Sequence, residues 1–412
     1  MALYIGIAIP KSCQESRKLK LKHQPEFTFT GPLGVLNRPI FVCLGLFAVA
    51  AILVVRCRRN PTLLVGKYFE TESPTVSSAC NGHGACALVD DGGSAYYVNV
   101  NDGLHAVRFR HPIAGSNLVS GWISTGGSAI FLGSNNDLFE FKSGWKVLRR
   151  LNIPPIHGEI VGVVFDSKVN ILWCAINPYE SADKRAYVIA VRPDGGTELG
   201  RFQLSVRSSN VLMELDETHH QLLVSPAGMP GTQMDSYLLT CRSGKVTGAV
   251  IPYAGEVARA AFYGKSMVVG AESGEVIGMD SDTSAVKWNL AKPEAIPVST
   301  ILIKDKIVVV GHCGGNKFVG SGYVDVLDLD TGGVKQNIDV DGCVDTVAAM
   351  DSKVAIGMQD GRLIVADAGG TQTYQVPVKK GSSGIEKIVI LPSHVLVVTG
   401  QQVFLFSRCQ LR

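Results

Sequence analysis

Short apolar runs and polar turns alternate along this chain at a nearly constant spacing. The segments "ACALVDDGGSAYYVNV", "LVSGWISTGGSAIFLG", "IVGVVFDSKVNILWCA", "NVLMELDETHHQLLVS", "VARAAFYGKSMVVG", "VSTILIKDKIVVVG", "VDTVAAMDSKVAIG" and "IEKIVILPSHVLVVTG" share one form: apolar strand, polar turn, apolar strand. Most are followed by a third strand ("NDLFEF", "SYLLTC", "GRLIVAD") and then by a more polar fourth ("KVLRRL", "KVTGAVI", "VKQNIDV"). Four short antiparallel strands recurring at roughly 33–50 residues predict the blade of a β-propeller. Eight copies predict an all-β ring of eight blades; a seven-bladed ring, with the short first unit left outside it, is the alternative. Each propeller sheet is covered on both faces by its neighbours, which accounts for Val/Ile runs without the alternation of a half-exposed strand.

The eighth copy stops after three strands, at "QVFLFSRCQLR". An open ring would expose an unpaired edge, and "PTLLVGKYF" at 61–69 has the character of a strand that closes it. The predicted organisation is a basic N-terminal tail (1–37), one transmembrane α-helix (38–59), a linker carrying the closing strand (60–78) and the β-propeller (79–412). The helix rests on "PIFVCLGLFAVAAILVVRCRRN", in which Ile40 to Val55 carry no charge and Arg56, Arg58 and Arg59 follow at once. Such a helix spans about 24 Å against roughly 30 Å of hydrocarbon. Leu33, Val35 and Leu36 would lengthen it, with Arg38 snorkelling to the interface. A signal-peptide core fits less well, because arginines stand where small cleavage-site residues belong.

The net charge of +3 is uneven. Residues 1–69 hold ten Lys or Arg against two Glu, which is +8 and leaves −5 for 70–412. A mildly acidic main domain argues against nucleic acid as a partner. Arginines directly after the helix predict a propeller on the matrix or cytosolic side, although "RKLKLK" at 17–22 pulls the other way. The lack of any N-x-S/T sequon agrees with that side. So do Cys80, Cys86, Cys174, Cys241, Cys313, Cys343 and Cys409, an odd number without framework spacing, which predict free thiols in a reducing compartment. A short span suits a thin intracellular membrane, and the mitochondrial inner membrane is expected ahead of the ER or Golgi.

Two stretches, "GEVIGMDSDTSAVKW" and "GYVDVLDLDTGGVKQ", resemble the outer-strand pattern of quinoprotein-type eight-bladed propellers: glycine, apolar strand, Asp, Thr-containing turn, and in the first a Trp. "IHGEIVGVVFD" is similar to the Gly-His opening of a WD40 repeat. The resemblance implies the fold over residues 79–412. A quinoprotein enzyme would also imply a quinone pocket with acidic and amide calcium ligands, and these residues assemble none. The sequence contains no G-x-x-x-x-G-K-[ST], H-E-x-x-H or G-x-S-x-G. The expectation is therefore a non-enzyme with no cofactor, no metal and no small-molecule substrate. "ACNGHGAC" at 79–86 reads as a blade-opening loop, with Cys86 on the first strand of the first blade and both thiols free. A Cys80–Cys86 disulfide, for an oxidising space, and a zinc site of Cys80, His83 and Cys86 lacking a fourth ligand are the alternatives. His219 and His220 read as a solvated turn, and His312 with Cys313 as a glycine-rich loop tip.

Three connections between second and third strands are long: "NPYESADKR" (177–185), "PAGMPGTQMDS" (226–236) and "HCGGNKFVGSG" (312–322). In a propeller these all emerge on one face, so Tyr179, Lys184, Arg185, Met229, Met234, Lys317 and Phe318 are expected on one rim. Aromatic, Met and basic residues on exposed loops are interface material. The expected function is a non-catalytic scaffold or accessory subunit of a membrane protein complex, with that complex's subunits as partners and the membrane held through 38–59. The alternative is a membrane-anchored propeller exchange factor or adaptor for a small GTPase. The exchange factors it resembles place their anchor after the propeller, whereas here the anchor precedes it.

Overall fold

The structure, a computed structural model, describes residues 67–411 apart from 101–103, 180–184, 207, 209, 228–233, 254, 292–295, 315–320 and 379–383. The tail and the expected transmembrane helix at 38–59 lie outside the described residues. Among those residues no helix is long and apolar enough to cross a membrane.

Eight antiparallel sheets of four strands stand around a central channel. Each innermost strand lies beside the innermost strand of the next blade, and the last lies beside the first, so the ring is closed. From blade one to blade eight these innermost strands are Thr75–Cys80, Leu118–Ile123, Gly158–Asp166, Val211–Asp216, Val257–Tyr263, Val298–Lys304, Val344–Met350 and Ile385–Ile390. The second strands, by contrast, are almost wholly buried: Ala85–Asp90 in blade one, Gln221–Pro226 in blade four and Lys353–Met358 in blade seven show the pattern.

Blade one corrects the sequence reading by one strand. Ala85–Asp90, expected to be its first strand, is its second; the innermost strand is the polar "TVSSAC" of Thr75–Cys80, cut by the expected boundary at 79. An innermost strand faces the central channel on one side, so hydroxyl side chains cost little there, and the hydrophobic pattern that marks other strands is missing. The ring closes through Lys67–Glu70, which runs antiparallel to Gln402–Ser407 from Lys67↔Leu405 to Glu70↔Gln402. Thr71 N–H and Thr75 N–H then donate to the Gln401 and Gly400 carbonyls, fastening the chain as it turns inward to blade one.

The core is divided among the seams. There are eight clusters of buried apolar side chains, and each joins two adjacent blades. Between blades five and six, the indole N–H of Trp288 donates to the Leu329 carbonyl at 2.8 Å. Its ring covers Gly332, where φ is +69° and an added Cβ would lie 2.6 Å from the indole. Gly332 ends a turn in which Asp328 accepts from the N–H groups of Asp330 and Thr331 and from the Thr331 hydroxyl. Asp280 does the same for Asp282 and Thr283. The Asp–Thr turns and the Trp of the sequence motif are thus parts of the blade edge and of one seam.

Candidate functional site: the channel and its loop face

A repeated irregularity shapes the channel. In seven of the eight blades the innermost strand skips one residue of its ladder near its start: Val76, Val119, Val161, Ala258, Ser299, Asp345 and Glu386. Blade four pairs without a shift. A bulge bends its strand and re-aims the extra side chain. Four of these residues, Val76, Ser299, Asp345 and Glu386, line one cavity of about 510 Å³ at this end of the channel.

Five charges share that cavity: Glu214, Arg259, Asp345, Glu386 and Lys387. Arg259 is tied to backbone, with Nε donating to the Ser299 carbonyl at 2.8 Å and Nη1 to the Ala258 carbonyl at 2.7 Å. The Thr75 hydroxyl donates to the Gly400 carbonyl at 2.9 Å and lies 3.3 Å from Glu386 Oε1. Glu214, Asp345 and Lys387 make no hydrogen bond or ion pair among the described residues. Burial pushes the Glu214 carboxyl up to about 7, against the pull of Lys387 and Arg259. Burial, then the negative charges of Glu386 and Asp360, push Asp345 up to about 6. Burial lowers Lys387, with Glu214 opposing.

The far end of the channel is built differently. A cavity of about 820 Å³ there is lined by tight turns between first and second strands, including Asn81, His83, Thr125, Lys168 and Glu217. Asn81 accepts from the N–H groups of His83 and Ala85 and donates to the Ser124 carbonyl of blade two at 3.0 Å. Glu217 of blade four reaches blade two, accepting from Thr125 N–H at 2.9 Å and from the Thr125 hydroxyl. His219 and His220 are not simply solvated: their rings meet the buried carboxylates of Asp216 and Asp166 at 2.6 and 2.7 Å.

The cysteines overturn the expectation of free thiols. Cys80 and Cys86 face each other across adjacent strands, with Cα atoms 4.1 Å apart, and form a disulfide. Cys313 ends the second strand of blade six, Cys343 precedes the innermost strand of blade seven, and they form another at a Cα separation of 4.5 Å. Cys409 is also disulfide-bonded, while Cys174 and Cys241 are free. The zinc alternative falls with this, since an oxidised sulfur is not a thiolate ligand. No group of three or more His, Cys, Asp or Glu among the described residues could hold a metal ion. His312 is not on a loop tip either. It is 1% exposed within the second strand of blade six, stacked on Tyr323 at 4.1 Å, with Nε2 3.5 Å from the Asp325 carboxylate.

The long connections share a face with the 510 Å³ cavity. Asn136, on the corresponding connection of blade two, bonds to the Gly158 carbonyl and Ile160 N–H at the start of blade three's innermost strand, and to the Tyr179 hydroxyl at 3.4 Å. Tyr179 is 67% exposed on this face. Arg185 is exposed, its carbonyl accepting from Gln203 at 2.7 Å. Met234 corrects the expectation: at 3% exposure it turns inward and is no part of the rim. Lys184, Met229, Lys317 and Phe318 lie outside the described residues. Sequence reasoning missed the channel charges altogether, although Asp345 and Glu386 each interrupt an apolar run at the same place in successive repeats.

No protein-family model matches the chain, and no curated protein matches it. Solved structures do. It is similar to Saccharomyces cerevisiae Sqt1 at a TM-score of 0.63 and 10% identity, covering 84% of this chain and 99% of that one. It is similar to the C-terminal WD40 domain of Sif2 at 0.60 and 16%, covering 84% and 98%. The computationally designed protein Ika8 matches at 0.60 and 15%, covering 82% and 97%. At these identities the likeness carries the fold alone, and the eight four-stranded sheets define it as an eight-bladed β-propeller.

Proposed function

We propose that this chain is a non-catalytic propeller that scaffolds protein subunits of a membrane complex through its loop face, with residues 38–59 as its tether. The observation that supports this best is the contrast between a face of short turns pinned by Asn81, Asp166, Asp216 and Glu217 and a face bearing long connections with exposed Tyr179 and Arg185. Rigid rings of this kind present variable loops without needing to move. The disulfides revise the expected orientation. Bonded cysteines in the propeller favour the side of the membrane that sustains thiol oxidation, the lumen of a secretory compartment or the intermembrane space of a mitochondrion, over the matrix or cytosol. "RKLKLK" at 17–22 is the positive segment that would then remain on the reducing side.

The test is native size in mild detergent, with mass spectrometry of whatever migrates with the chain. Stoichiometric companions in a large assembly support the scaffold and name the membrane; migration near 44 kDa plus detergent sinks it. Protease protection in sealed vesicles, combined with maleimide labelling before and after reduction, tests the orientation. Full labelling of Cys313 and Cys343 without reductant would return the propeller to the reducing side.

A further inference from the structure

The two disulfides whose partners are both described differ in what surrounds them. Cys86 is fully buried and Cys80 packs against the apolar cluster between blades eight and one, so that bond belongs to a seam core. Cys313 and Cys343 are half-buried at the loop-face end of the seam between blades six and seven, and neither enters the apolar cluster that fills it. That seam has other ties. Val309, Val324 and Val326 of blade six share one buried cluster with Val344, Val347 and Ile356 of blade seven, and Arg362 donates to the Asp341 carbonyl across the junction. The bond fixes the loop-face end alone: Cys313 closes the second strand of blade six, and Cys343 lies in the link 342–343 that leads into blade seven. Two backbone bonds mark this end, from Cys313 N–H to the Pro297 carbonyl at 3.1 Å and from Gln359 N–H to the Cys343 carbonyl at 3.0 Å. Cys343 Sγ stands 3.8 Å from the Gly314 carbonyl, so a thiol at this position has an acceptor ready.

We propose that Cys313–Cys343 is a redox-operated clasp, which sets whether the loop-face end of this seam is fixed or free and thereby the hold on a partner. The reductant is a dithiol. One of its thiolates attacks Cys313 Sγ, the S–S bond breaks, and Cys343 leaves as a thiolate that takes up a proton facing the Gly314 carbonyl. The second sulfur of the dithiol then displaces Cys313 from the mixed disulfide. The chain gains two electrons and two protons, and the dithiol becomes a disulfide. Access decides which bond is attacked, and the half-buried pair offers it where fully buried Cys86 does not. The apolar seam stays packed in the reduced form, so the ring persists while its rim opens locally, at lower cost than the core. The effect on a partner rests on the scaffold reading; the clasp itself does not.

The experiment uses the full chain in detergent, titrated with dithiothreitol and pulsed with a maleimide, each cysteine being read by mass spectrometry. Cys313 and Cys343 should be labelled at a dithiothreitol concentration at least about tenfold below that needed for Cys80 and Cys86, with the circular dichroism of the ring unchanged. Amide exchange at Cys313 and Gln359 should quicken at least about tenfold at that point. The Cys313→Ser/Cys343→Ser chain should exchange fast without reductant; Cys343→Ser alone is the second variant, should the double one fold poorly. Release of both pairs together, or labelling of Cys313 only as the dichroism is lost, would overturn the clasp. Exchange that stays slow after reduction would overturn it too. Companion subunits that leave wild type on reduction, and are already absent from the Ser chain, support control of docking; companions retained equally in both states overturn that control. A chain that migrates alone in either state sinks the scaffold, and labelling and exchange then decide the clasp without it.

Discussion

The two ends of the channel are made from the same eight repeats and treat their polar groups in opposite ways. On the tight-turn face, Asp166 is 1% exposed and accepts from Lys168 N–H at 3.1 Å while meeting His220 of the next blade. Asp216 holds Thr218 N–H at 2.8 Å and His219 in the same manner. Both of these carboxylates are bonded within the fold. Asp345, in the loop-face cavity, and Glu214, which lines both cavities, make no hydrogen bonds among the described residues and are held toward their neutral forms by burial. Satisfied polar groups fix geometry, and unsatisfied ones in a cleft mark a place where something else binds. The difference shows that the tight-turn face is held by its own hydrogen bonds, and it supports the proposal that the loop face meets the partner.

The largest expected effect would sharpen that contrast on the loop face. Replacing Cys313 and Cys343 together by Ser releases a loop of sequence separation 30 that links two blades, and should lower stability by about 3–4 kcal/mol. The Cys80/Cys86 pair closes a separation of only 6, and its removal should cost about 2 kcal/mol. Denaturant midpoints of the two double variants measure both, and equal losses would contradict the loop-closure account. Next, Asp166→Ala removes the anchor of a tight turn and strands its donors, for about 2 kcal/mol in chemical unfolding, with no change in co-migrating subunits.

Smaller still is Glu214→Gln, which acts with the opposite sign. Because the folded carboxyl is raised to about 7, the folded chain keeps a proton that the unfolded chain has already released. That contribution to stability is present in acid and is lost as pH rises through about 7. The Gln variant should therefore be more stable by about 1 kcal/mol at pH 8, after allowing for channel water, with the gap closing by pH 5; parallel thermal scans would show whether it does. Tyr179→Ala should change stability by less than about 0.5 kcal/mol yet reduce retention of partner subunits. Unchanged retention would remove Tyr179 from the working surface.

Much of the fold was legible because a repeat announces itself eight times. Seven of the blades have their first two strands where the apolar runs lie, and the closing strand Lys67–Glu70 falls within 61–69. Blade one was offset because "TVSSAC" lines the channel and carries hydroxyls instead of a hydrophobic pattern. The Cys313–Cys343 bond was hidden because its partners belong to different blades, and spacing along a chain does not reveal a contact across a seam. Met234 was misplaced for a related reason: a long connection has residues that project and residues that fold back, and composition does not sort them. His312 continues a strand past its apolar run, since Tyr323 and Asp325 supply the packing and polar contact that let an imidazole be buried there.

The way the ring closes sets an order on its biosynthesis. Lys67 pairs with Leu405, 338 positions later, so the first of the described strands to be made is among the last to find its place. At ordinary elongation rates it waits roughly 20–70 s on a growing nascent chain. During that interval both it and the flank of blade one are sticky, unmatched edges. A truncated product ending before Gln402 would never cover them, and a chaperone or a degradation machine would meet a persistent exposed edge. Completion of the C-terminus is thereby converted into a geometric event, the locking of the ring, that distinguishes finished chains from abandoned ones.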